Sequence, residues 1–213
     1  RNLVKGIQTT AAVLLLEAMV LMSTTTSWSG SWTQRFYGTG TADVWEVFGQ
    51  DNLTNVSWKQ GWRPLEPLQS ALFNDVSFLE YVSTTLEDRA PRLVVMETPN
   101  NVWYHATKPI TTAHNSARNS TKRFNRKVIP FLEVAHEIAH TQLNEGKDFL
   151  LELPLTTQMM KQPVAKEMAK NSDIHVMNGS SWNRAKPVWW MSSSPHMTKQ
   201  LEVSPSSKLR YRP

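Results

Sequence analysis

The 213-residue chain has no cysteine. That absence removes disulfides, thiolate zinc sites and cysteine nucleophiles together. The longest apolar run, "AAVLLLEAMVLM" at 11–22, has 12 residues and is interrupted by Glu17, whereas a bilayer-spanning helix needs about 20. No internal repeat is visible, and no acidic residue occurs between Glu97 and Glu133. Glycine is scarce as well, 8 residues in all, where about 7% is usual.

What is present sets the scale. The length suits one substantial domain with appendages. Lys and Arg number 23 against 18 Asp and Glu, a formal charge of +5, which favours polyanionic partners in the weak, sequence-independent way net charge can. A chain without disulfides is expected to be intracellular, so the N-x-[ST] sequons at Asn52, Asn55, Asn119 and Asn178 read as coincidental.

Hydropathy divides the chain into four parts. Residues 1–22 are expected to form an apolar, amphipathic helix packed on the domain, in preference to a signal-peptide core behind Arg1 and Lys5 or a membrane contact. Residues 23–41, "STTTSWSGSWTQRFYGTGT", are Ser, Thr and Gly-rich without a period, as in a linker. The domain proper takes 42–197, and 198–213 is a basic tail. The opening "RNLVKGIQ" has no start methionine, so the expected partner includes the remainder of a larger polypeptide or assembly.

Within the domain, five short apolar runs bounded by Gly, Pro and Asn fit buried strands: 43–49, 62–68, 92–97, 149–154 and 187–193, with a weaker sixth at 174–178. Helical spacing fills the intervals. In 74–88, Val76, Leu79, Val82 and Leu86 recur three to four apart; in 126–146, Val128, Leu132, Ala135 and Ala139 form one stripe; and 163–171 starts at a proline. Strands alternating with helices predict an α/β, Rossmann-like, mostly parallel sheet flanked by helices, with its crevice at the strands' carboxyl ends.

One motif carries a ready mechanism. "VAHEIAH" holds His136, Glu137 and His140 in the order H-E-x-x-H, in which histidines one helical turn apart can hold zinc while the glutamate activates a water. Composition alone would produce such a match in roughly one chain of this kind in a hundred. On the helix, the two histidines fall on the flank of the apolar stripe and Glu137 opposite it, and Glu167 is the available third ligand. A zinc metallopeptidase is therefore an alternative reading, with a plain surface helix as its competitor.

Taken as a set, "ADVWEVFG", "GWRPLEPL", "RAPRLVVMETPNNVW" and "LNEGKDFLLELP" resemble the methyltransferase-like segment of copia-type retroelement polyproteins, notably of dinoflagellates, which is similar in turn to the cytosine-5 DNA methyltransferases. The resemblance covers about 42–197. It implies a first-strand turn around S-adenosylmethionine at Asp43, Glu46, Phe48 and Gly49, with Asp75 contacting adenosine. It also implies a Pro-Cys nucleophile at Pro99 and Asn100, and a base-holding glutamate at Glu152. This chain departs from that pattern. Asn100 replaces the cysteine whose thiolate attacks the cytosine ring, Gln69 replaces the acid that binds the ribose hydroxyls, Gln50 replaces the second glycine of the turn, and Glu152-Leu153-Pro154 stands for Glu-Asn-Val or Glu-Asn-Pro. Asparagine cannot form the covalent adduct. The expectation is a degenerate domain that transfers no methyl group and holds either no cofactor or S-adenosylmethionine.

The acid-free interval supports a nucleic-acid surface independently. It gathers Lys108, Arg118, Lys122, Arg123, Arg126 and Lys127 among Trp103, Tyr104, His105, His114 and Phe124. A basic, aromatic loop at 105–127 after a strand end would contact phosphates and stack on bases. Three functional readings follow: a degenerate methyltransferase-like domain in nucleic-acid contact or scaffolding, a zinc metallopeptidase, and a structural subunit of a larger assembly.

Overall fold

The computed structural model describes residues 41–49, 52–69, 75–107, 114–181 and 186–203. The expected N-terminal helix, nearly all of the linker, Gln50, Lys108 and the tail beyond 203 lie outside these residues.

The core is a five-stranded sheet in the order β1-β2-β3-β5-β4. β1 (Val44–Val47), β2 (Leu93–Met96) and β3 (Asp148–Pro154) run parallel; β5 (Pro187–Ser192) is antiparallel to both β3 and β4 (His175–Ser180). The sheet is thus mixed, with one strand reversed between two of opposite direction. The expected strand at 62–68 does not form as such: its prolines interrupt the ladder, leaving isolated parallel bridges from Pro64 to Val44 and from Leu68 to Val47. Those bridges lie on the free edge of β1. After β1 the chain therefore steps to one side, then crosses to β2 on the other, which makes the carboxyl end of β1 a topological switch point.

Period-two alternation sorts the strand side chains onto two faces. One face carries Trp45, Val47, Val94, Met96, Phe149, Leu151, Leu153, Trp189 and Met191. It is covered by α2 (Val76–Arg89), α4 (His114–Asn144) and α6 (Pro163–Lys170), with α5 (Thr157–Lys161) adding Met159. The other face carries Val44, Leu93, Val95, Leu150, Val188 and Trp190. It meets Leu53 of α1 (Asn52–Lys59), Trp103 of α3 (Asn100–Thr107) and Met197 of α7 (Pro195–Val203). Helices on both faces explain why the strands read as continuous apolar runs, with β1 and β2 buried at every position. The domain boundary placed at 197 falls inside α7, which packs on β4 and β5.

Local chemistry sets the helix ends. Asp75 caps α2 by accepting the Ser77 amide at 2.9 Å, and Ala90 closes it in the left-handed region. α4 has 31 residues and contains Pro130, which deprives the Arg126 carbonyl of its usual i+4 amide. Its buried stripe includes Phe124, Val128, Phe131, Leu132, Ala135, Ile138 and Ala139. At about 1.5 Å per residue the helix is about 46 Å long, roughly twice the length of seven-residue β3. Since α4 leads back into β3, its amino-terminal half extends past the strands' carboxyl ends.

Candidate functional site

At the switch point, β1 ends in Phe48 and Gly49. Phe48 has φ 65°, a left-handed conformation costing a β-carbon-bearing residue about 1–2 kcal/mol. Its ring offsets that cost in the core, 6.2 Å from Phe78 and 5.8 Å from Phe131. The Phe78 contact also brings the start of α2, with exposed Asp75, to the same end of the sheet.

Glu46 is buried at 1% exposure. One carboxylate oxygen accepts the Thr54 amide at 2.8 Å and the Thr54 hydroxyl at 2.9 Å, so a strand residue serves the first turn of α1 as a cap, with its negative charge at the favourable helix end. The same side chain fills the space beside Gly49, where a Cβ would stand 2.2 Å from its other oxygen. Any larger residue at 49 displaces the cap. Asp43 lies at the opposite end of β1, where it accepts the Arg63 amide at 2.9 Å and pairs with the Arg63 guanidinium at 3.5 Å. Of the residues assigned to a cofactor, the structure thus gathers Glu46, Phe48, Gly49 and Asp75 at one end and separates Asp43 from them.

Two strands over, the ends of β2 and β3 meet. Glu97 and Thr98 are buried beyond β2, and Glu152 is buried at 1% exposure near the end of β3. The Thr98 hydroxyl donates to the Glu152 carbonyl, which holds the Pro99-Asn100 turn beside Glu152. Asn100 opens α3 and is exposed. Ser181 lies 3.1 Å from each Glu152 carboxylate oxygen. Trp190 is the cross-strand neighbour of Glu152, and its ring packs over Gly179, where a Cβ would be only 3.1 Å away. The Ser181 amide donates to the Lys186 carbonyl, and the Lys186 ammonium sits 5.7 Å from the Trp103 ring centre, within cation–π range. Sequence reasoning missed Ser181 and Lys186. Nothing local marks either, since Ser181 reaches Glu152 across 29 residues.

Where it is described, the basic interval is helical. Residues 100–107 are α3 and 114–127 begin α4, because Phe124 extends the apolar stripe one turn before Val128. Its aromatics are largely core: Trp103 is 4% and Phe124 5% exposed, so neither can stack on a base. Tyr104 remains exposed, edge-on to His105 at 5.2 Å. Lys122, Arg123, Arg126 and Lys127 are all exposed on α4, while Arg118 lies on the same helix. Positions i, i+1, i+4 and i+5 make one continuous cationic strip.

The histidine pair sits where helix geometry puts it. His136 is half-buried, His140 and Glu137 are exposed, and the imidazole centres are 6.1 Å apart. His140 contacts Asn144 through Nδ1 at 3.1 Å. Glu167 is exposed on α6, which packs against α4, yet among the described residues no three His, Asp or Glu side chains stand close enough to hold a metal. Among them, too, no helix is long and apolar enough to cross a membrane.

No family model matches the chain, and comparison with curated proteins and with solved structures gives no match.

Proposed function

We propose that this is a degenerate methyltransferase-like domain with a Rossmann-like sheet, which transfers no methyl group and contacts nucleic acid, or serves as a scaffold, within a larger polypeptide. One observation carries the reading. The Pro99-Asn100 turn and Glu152 stand side by side at the ends of β2 and β3, tied through Thr98, with asparagine where the resembling enzymes have their cysteine. The pairing of two distant motifs at one crevice favours the resemblance, while the chemistry at position 100 argues against the reaction, because a carboxamide does not replace a thiolate nucleophile.

Among the described residues, those that the resemblance assigns to S-adenosylmethionine fit it poorly. Glu46 is spent on the cap of α1, Asp43 is at the far end of its strand, and exposed Gln69 stands at the ribose position. Asp75 alone keeps an exposed carboxylate at that end of the sheet among the assigned positions. Titration calorimetry with S-adenosylmethionine tests this directly. No heat of binding at millimolar cofactor is expected, and micromolar binding, or labelled methyl groups appearing on DNA, would refute the loss of function.

A further inference from the structure

We infer that the exposed strip Lys122, Arg123, Arg126 and Lys127 on α4 docks the phosphate backbone of a nucleic-acid duplex without extruding or reading a base. This rests on the nucleic-acid contact proposed above and adds how that contact is made. Three observations carry it.

First, the strip lies in the amino-terminal half of a 31-residue helix that has no acidic residue in its first turn and no basic residue in its last. No acidic residue of the helix lies within one turn of the strip, the first being Glu133, six residues beyond Lys127. A dense external anion supplies that charge. Duplexes present one phosphate per ~1.7 Å of axis, twice the density of a single strand, and Lys122/Arg126 and Arg123/Lys127 form two adjacent rows, the members of each about 6 Å apart along the helix axis.

Second, two of the rings that would stack on unpaired bases, Trp103 and Phe124, are buried, and of the interval's Trp, Tyr and Phe side chains Tyr104 alone is exposed. A single strand bound here would find one ring on which to stack where successive bases ordinarily need several.

Third, the carboxylate placed to grip an extruded base, Glu152, is 1% exposed with the Ser181 hydroxyl 3.1 Å from both its oxygens. Among the described residues, the carboxylate that the resemblance gives to an extruded base is thus already engaged within the fold. Contact is left to phosphates, and so to any sequence.

The test uses the full chain and fluorescence anisotropy with four labelled 20-mers: a DNA duplex, the same duplex with one central mismatch, an RNA duplex, and the single strand. Both perfect duplexes should bind more tightly than the single strand, and the mismatch should change affinity less than threefold. The slope of log K on log salt for DNA should be about −3 to −4, and R123A/R126A should reduce its magnitude by about 2. Tighter binding of the mismatched duplex by tenfold or more, the mark of base extrusion, would overturn the inference, as would preference for the single strand; either leaves the proposed nucleic-acid contact standing. Failure to bind all four at 50 mM salt would remove both.

Discussion

The Ser181 hydroxyl stands 3.1 Å from each oxygen of the Glu152 carboxylate, joining the end of β4 to the end of β3 beneath Trp190. β5 lies between those strands, so the contact reaches across a neighbour. Ser181→Ala should destabilise the fold by about 1–3 kcal/mol, the range for removing a hydrogen-bond partner from a buried carboxylate. Urea unfolding followed by tryptophan fluorescence measures it. A change under 0.5 kcal/mol would mean that water substitutes for the hydroxyl.

Gly49→Ala pushes a methyl group into Glu46 and dislodges the cap of α1. We expect a loss of about 2–3 kcal/mol, combining overpacking with a lost cap. In a Glu46→Ala background the same change should cost less than 1 kcal/mol, since the obstructing side chain is gone. A double-mutant cycle showing simple additivity would contradict the contact.

His136→Ala and His140→Ala should leave stability within about 0.5 kcal/mol, as for other surface positions. Elemental analysis of protein purified without chelator should find well under one zinc per ten chains. Stoichiometric zinc that His136→Ala abolishes would restore the metallopeptidase reading.

Asp75→Ala removes the carboxylate that accepts the Ser77 amide. The expected cost is about 1 kcal/mol, seen as a fall of a few degrees in Tm; Asp75→Asn should keep most of the stability.

Much of the sheet was legible in the sequence because its strands are buried on both faces and so appear as uninterrupted apolar runs. The reversal of β5 was not, since an apolar run bears no mark of direction. α1 leaves no such mark for a different reason: "NLTNVSWK" is polar, and its first turn is capped by Glu46 from β1, a tertiary contact that propensity cannot express. α3 and the start of α4 resemble a basic loop in sequence because single aromatics in polar surroundings look available for binding. Phe124 could have been recovered from its spacing of four to Val128; the burial of Trp103 against the opposite sheet face could not. At the crevice, Asn100 and Glu152 were visible as motif positions, whereas Ser181 and Lys186 acquire a role only once β4 and β5 are paired.

The strand order constrains how the molecule can be made. Among the described residues β5 is the last strand in sequence but lies between β3 and β4, so when β4 leaves the ribosome its described strand partner does not yet exist, and the edge of β3 stays open. Sheet completion then falls to a local hairpin arriving as one unit, a fast event compared with pairing β1 to β2 across α1 and α2. A chain stopped anywhere before Pro187 would strand β4 and leave β3 as a bare apolar edge open to self-association. Such a chain would lose its solubility before it lost its secondary structure.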